Sequence, residues 1–251
     1  MRHIVLMIRR EMMVLGHQWL SLASFLVVFP VIMFLCISMP LYKIISIPVL
    51  NYLHWSVPGI LILTSSIICS NYGLRNIFLL RDKGKHYQML LKSPMSIGQI
   101  LLGMYMISVL YGIFQFIAGA VVLSLINPGA FSFFQCISIF LQVFPFLLFI
   151  ASLSLFIGFL ISNEEMVSYI LITLFLIIAF AFGALLPIEL FPSDLSAYLK
   201  NIPMVGIIMN TQKILHMETP FYFGVFLNIA IAVVVYLIAM VCAYKTLRRL
   251  S

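Results

Sequence analysis

A chain of 251 residues that is 64% hydrophobic and 8% charged, with mean hydropathy +1.19, is not a soluble globular protein. Soluble chains carry about 25% charged residues, so the bilayer must solvate most of this surface, and the useful count is of spans of roughly 20 apolar residues. The net charge of +7 sits in short segments beside apolar runs, which is a pattern of topology control and not of a nucleic-acid groove.

Residues 1–18 precede the first apolar run. Arg2, Arg9 and Gly16 recur at intervals of seven, as do His3, Arg10 and His17, while Ile4, Val5, Ile8, Met12 and Leu15 fall on the other side. This predicts an amphipathic helix lying in the membrane interface, basic side chains toward anionic headgroups. The apolar run that follows is too long for a signal peptide, and no small-residue cleavage site follows it.

Spans are expected at about Trp19–Met39, Trp55–Leu74, Ile100–Ile126, Phe133–Ile161, Met166–Leu186 and Phe221–Tyr244. They must be helices, because lipid excludes unpaired backbone and the runs are too long for barrel strands. Trp19, Tyr52, Trp55, Tyr222 and Tyr244 fall near span ends, as interface anchors do. The four cysteines, Cys36, Cys69, Cys136 and Cys242, are far apart inside apolar runs and read as small packing residues; no metal site is expected.

Between the second and third spans lies the one substantial polar stretch before the C-terminal third, Arg75 to Gly103. With the N-terminus inside, the inner segments hold eleven basic residues: Arg2, Arg9, Arg10, Arg75, Arg81, Lys83, Lys85, Lys92, Lys245, Arg248 and Arg249. The outer ones hold three, Lys43, Lys200 and Lys213. That asymmetry predicts a multi-pass protein of a plasma (inner) membrane with both termini cytoplasmic.

Between Leu186 and Phe221 the chain is too polar and proline-broken to span, yet too apolar for a free loop. Pro187, Pro192 and Pro203 divide it, with Ser193-Asp194 capping a helix around Leu195–Lys200 and a second helix at Met204–Leu215. A re-entrant helical pair on the outer face, forming a gate or exit vestibule over residues 187–216, accommodates such backbone. An amphipathic surface loop is the plainer alternative.

The expected spans contain no Asp, Glu, Lys or Arg. Ion-coupled transporters and intramembrane enzymes need such groups near mid-depth. His54 lies at a span edge, and no phosphate-cradling GxxxxGK[ST] loop occurs, since Gly84-Lys85 is followed by His86. The chain is therefore expected not to be an enzyme, and any uphill transport must draw energy from a partner. Polar residues within spans, including Gln115, Gln135, Gln142, Ser152, Ser154 and Asn228, suit interhelical hydrogen bonds. The cluster Thr64–Asn71 beside the basic segment is the candidate lining of a path.

Three features together resemble the ABC-2 permeases, the membrane subunits of type-2 ABC exporters. The first is the basic amphipathic helix leading into span one. The second is the ordered set Leu80-Arg81-Asp82-Lys83-Gly84, Leu90-Leu91-Lys92-Ser93-Pro94 and Ile100-Leu101-Leu102-Gly103. The third comprises Phe182-Gly183, Leu186-Pro187, Phe191-Pro192, Asn201-Ile202-Pro203 and Lys213. The chain departs from the family's pattern at Arg81-Asp82-Lys83, where Glu-Arg-Glu is common, at Ile202, which separates an asparagine–proline pair, and at Lys213, where arginine is usual.

The resemblance implies one permease domain over residues 1–251: an interface helix at 1–18, a cytoplasmic coupling segment at 75–99 and the outer segment at 187–216. It implies a homodimer or heterodimer of six-span subunits in membrane lipid, with two copies of a cytoplasmic ABC ATPase that carry the ATP and Mg; no cofactor is expected in this chain. Arg81, Asp82, Lys83, Gly84, Tyr87, Leu90, Leu91 and Pro94 would form the ATPase contact, with Tyr87, Leu90 and Leu91 on one helical face. Pro187, Pro192, Pro203 and Lys213 would belong to the outer gate. The implied cargo is an amphipathic, lipid-like or drug-like molecule moved outward; a polysaccharide or glycolipid, or a scaffold role without transport, are the alternatives.

Overall fold

The computed structural model describes residues 7–11, 13, 19–45, 51–81, 96–215 and 223–250. Of the expected ATPase contact, Asp82, Lys83, Gly84, Tyr87, Leu90, Leu91 and Pro94 lie outside the described residues, and Arg81 is the last helical residue before them. Every described regular element is a helix, and six helices are long and apolar enough to cross a membrane.

Helix α1 (Trp19–Met33) continues through a π-turn, Phe34–Ser38, into Met39–Tyr42. The wide turn lies directly before Pro40, which has no N–H to offer the Cys36 carbonyl. A short turn at Tyr52–Trp55 leads into α2 (Val57–Arg81), followed by α3 (Ile97–Ile126) and α4 (Phe133–Leu160). Helix α5 (Glu164–Leu176) closes on a second π-turn, Ile177–Ala181. Two shorter helices, α6 (Ser193–Lys200) and α7 (Pro203–Leu215), precede the last long one, α8 (Phe223–Leu250).

Serine–glutamine pairs fix two of the helix starts. Ser96 with Gln99, and Ser132 with Gln135, form reciprocal capping boxes at α3 and α4, each satisfying two backbone donors that the helix geometry leaves open. Asn163 caps α5 by accepting from the Glu165 and Met166 N–H groups.

Two departures from the expected span ends bear on the site. Helix α2 runs seven residues beyond Leu74, because arginine is a good helix former and Arg75 does not interrupt the helix. Arg75 is therefore a span-end residue and not part of a loop. Helix α5 stops before Leu186 because Gly183 adopts φ +86°, a left-handed conformation that ends a helix.

Helix α2 is the hub. Within the protein, 83% of its span is buried, against 22% for α5 and 17% each for α1 and α8. One core cluster joins Ile60, Leu61 and Leu63 of α2 to Phe116 of α3, Phe146 and Leu147 of α4, and Ile207 and Ile208 of α7. A second, toward the opposite end, joins Leu74 and Ile77 to Leu101, Leu155, Val167 and Ala243. Lipid supplies no hydrophobic force between spans, so close packing and hydrogen bonds must hold them together. Ser108 Oγ on α3 donates to the Cys69 carbonyl on α2, Tyr105 OH to the Leu148 carbonyl (3.1 Å), and Gln115 Nε2 to the Leu26 carbonyl (3.1 Å).

A groove between α2 and α5, and a buried bend at the opposite end

A cavity of about 580 Å³ lies between α2 and α5. Its α2 wall carries Ile67, Ser70, Asn71, Leu74, Arg75, Phe78 and Leu79. Its α5 wall carries Glu164, Ser168, Leu171, Ile172 and Phe175. The three- and four-residue spacing along both sets puts each on one helical face. The cavity persists because α5 makes little direct contact with α2; Val167 and Leu171 anchor α5 in the second core cluster while its other faces stay exposed.

The groove is graded along its length. Arg75 and Glu164 are exposed and lie at the same end, where α2 finishes and α5 begins. Asn71 and Ser168 come next, one helical turn deeper; Ser168 Oγ donates to the Glu164 carbonyl at 2.9 Å. Ile67 and Phe175 close the apolar depth. Behind the groove, the Tyr72 ring stacks on Tyr111 of α3 with centroids 3.5 Å apart, and the Arg75 guanidinium lies 5.8 Å from the Tyr72 centroid. Such a surface can take an amphipathic molecule sideways, polar group at the rim and apolar part within.

The N-terminal segment packs at this same end. Met7 and Ile8 sit against Ile68, Tyr72, Ile107 and Tyr111. Arg10 and Glu11 pair at 3.1 Å.

At the opposite end the bend that follows α5, residues 183–188, is enclosed by protein. Ala184 and Leu185 are fully buried. Tyr52 OH donates to the Leu185 carbonyl at 2.5 Å, and Gln212 Nε2 donates to the Gly183 carbonyl at 2.7 Å. Gly59 lets this bend press on α2: a Cβ there would lie 1.7 Å from the Ala184 carbonyl oxygen. Helix α7 is clamped on both sides, by Gln135 Nε2 to the Ile214 carbonyl (3.3 Å) and Asn228 Nδ2 to the Pro203 carbonyl (3.1 Å).

The residues assigned to the outer gate sit in different surroundings. Pro187 is buried beside the bend, Pro203 is half-buried as the first residue of α7, and Pro192 and Lys213 are exposed. Pro203 starts a helix without penalty because its missing N–H falls among donors that would be unpaired anyway. Ser193 does not cap α6. Pro192 holds the capping position in an extended conformation without a side-chain cap, and Ser193 is the first helical residue. Asp194 still favours the helix start through its charge. Helix α6 buries none of its residues, whereas α7 buries eight.

From the Thr64–Asn71 cluster, Ser70 and Asn71 reach the groove. Thr64 and Ser65 donate to carbonyls of their own helix, at Ile60 and Leu61, and are fully buried. The sequence reading missed Arg75 and Glu164 as groove residues because it stopped α2 at Leu74 and began span five at Met166. Had the register been carried on, Asn71–Arg75 and Glu164–Ser168 would each have appeared as an i,i+4 polar pair. No protein-family model, curated protein or solved structure matches this chain.

Proposed function

We propose that the chain is the permease subunit of an ATP-driven exporter, moving an amphipathic lipid-like or drug-like molecule outward under the power of a separate cytoplasmic ATPase. The observation that carries the reading is the continuity of α2. One uninterrupted helix, Val57–Arg81, forms a wall of the groove, supplies the hub of the core and runs into the first residues of the 75–99 coupling segment. An ATPase moving the 82–95 stretch would act directly on a rigid element, and any displacement of α2 relative to the loosely held α5 changes the groove.

In this reading the N-terminus, Arg75, Glu164 and the groove mouth face the cytoplasm, and 182–215 faces outward. The fit of Met7 and Ile8 against α2 and α3 supports an interface helix braced at the driven end. The hydrogen-bonded, protein-enclosed bend at Gly183–Leu185 supports a re-entrant outer segment, because backbone at membrane depth needs internal partners. Helix α7 would be its inserted arm and α6 its surface arm. The exposed apolar faces of α1 and α5 leave room for a second permease subunit.

The test is purification of the full chain in a mild detergent. An ATP-hydrolysing subunit should accompany it in stoichiometric amount and be lost when Tyr87→Asp and Leu91→Asp are combined. Repeated isolation of the chain alone, from cells that retain its function, would remove the coupling claim.

A further inference from the structure

We propose that the α2–α5 groove selects a zwitterionic amphiphile, its anionic group on Arg75, its cationic group on Glu164 and its tail along the apolar depth. The proposal refines the exporter reading by naming a substrate class, and it rests on that reading for the transport step though not for binding.

Arg75 and Glu164 line one cavity from opposite walls. Among the described residues, however, the ion pair is Arg10 with Glu11, and neither the Arg75 nor the Glu164 side chain makes a hydrogen bond or an ion pair. The Arg75 guanidinium lies instead over the Tyr72 ring. Opposite charges in contact would neutralise each other and offer a ligand nothing to read. Held apart across a cavity, they present both signs at once.

The chemistry then discriminates. A guanidinium takes a phosphate or carboxylate through its planar fork, and a carboxylate takes an ammonium. A ligand with one charge engages one of the two side chains, leaves the other to water, and so forgoes one charge-assisted contact. Along α2, Ile67 lies about 12 Å from Arg75 at the helical rise, so the tail follows the headgroup inward. A cavity of about 580 Å³ lies within the roughly 300–1,000 Å³ range of drug-sized sites. It therefore admits a headgroup and the near part of a chain.

The full-length chain in neutral maltoside micelles would be titrated with spin-labelled lysophosphatidylethanolamine, followed by electron paramagnetic resonance. An alkyl phosphate and an alkylamine of matched chain length serve as competitors. The zwitterion is expected to bind about tenfold more tightly than either. Arg75→Gln should reduce it to the level of the amine and Glu164→Gln to that of the phosphate. The double variant Arg75→Glu with Glu164→Arg should restore the preference.

Both side chains are exposed, so monodisperse elution of each variant checks that the fold is kept. Equal binding of all three ligands, or a Glu164→Gln variant that still prefers the zwitterion, overturns the proposal. So does self-association that is lost in Arg75→Glu, recovered in the double variant and unaccompanied by any zwitterion preference, because the groove would then be filled by a second copy. Zwitterion preference in a chain with no ATPase partner would sink the exporter reading and leave the site; an ATPase partner without preference would do the reverse.

Discussion

Substituting Gly59 by alanine tests how the bend between α5 and α7 is held to the core. A Cβ at Gly59 would lie 1.7 Å from the Ala184 oxygen, 2.6 Å from its carbonyl carbon and 3.2 Å from its Cα. All three are backbone atoms, so no side-chain rotation relieves the clash. To reach the 3.0 Å below which real contacts do not go, the carbonyl must retreat by about 1.3 Å, the difference between 3.0 and 1.7. That movement pulls on the Tyr52–Leu185 and Gln212–Gly183 hydrogen bonds, 2.5 and 2.7 Å long.

Overpacking of this kind costs about 1–3 kcal/mol, and each interhelical hydrogen bond in a membrane contributes about 0.6 kcal/mol. Gly59→Ala should therefore destabilise the protein by about 2–4 kcal/mol. The assay is reversible unfolding by SDS in mixed micelles. Gly206→Ala is the control, since a Cβ there meets nothing within 4 Å; it should be neutral or slightly stabilising. Equal stability of the two variants would refute the close approach of Ala184 to α2.

Three further outcomes are expected. Gln135→Ala removes both the α4 capping box and the bond to Ile214, and should cost about 1–2 kcal/mol in the same assay. Tyr111→Leu keeps apolar bulk but loses the stack on Tyr72, and should cost about 0.5–1.5 kcal/mol; a null result would leave that stack without energetic weight. Ser196→Cys, on exposed α6, should react with an impermeant maleimide added outside intact cells, and reaction only after permeabilisation would invert the proposed orientation.

Much of the architecture was legible in the sequence, because the bilayer imposes length and apolarity together. The third and fourth spans, Ile100–Ile126 and Phe133–Ile161 by composition, begin and end within three residues of α3 and α4. The broken segment also resolved into two short helices near the expected positions. What composition did not reveal was where a helix continues after its apolar run ends. Arg75 was placed outside the span because charge was read as its end, although arginine sustains a helix. Gly183 ended α5 early through a backbone conformation that apolar composition does not register. The capping serines were legible in principle: Ser96 and Ser132 each stand three residues before a glutamine, the capping-box spacing. Ser193 has no such partner and caps nothing. The groove itself was hidden, since it depends on α5 standing away from α2, a fact of packing between residues about 90 positions apart.

The central claim is that an ATPase drives this chain through the segment following α2. It is tested most directly by ATP hydrolysis in the reconstituted complex, with and without an amphiphile. The account predicts stimulation by the amphiphile that disappears in Tyr87→Asp with Leu91→Asp, while membrane insertion and the SDS unfolding midpoint stay unchanged. Stimulation undiminished in that variant would contradict it.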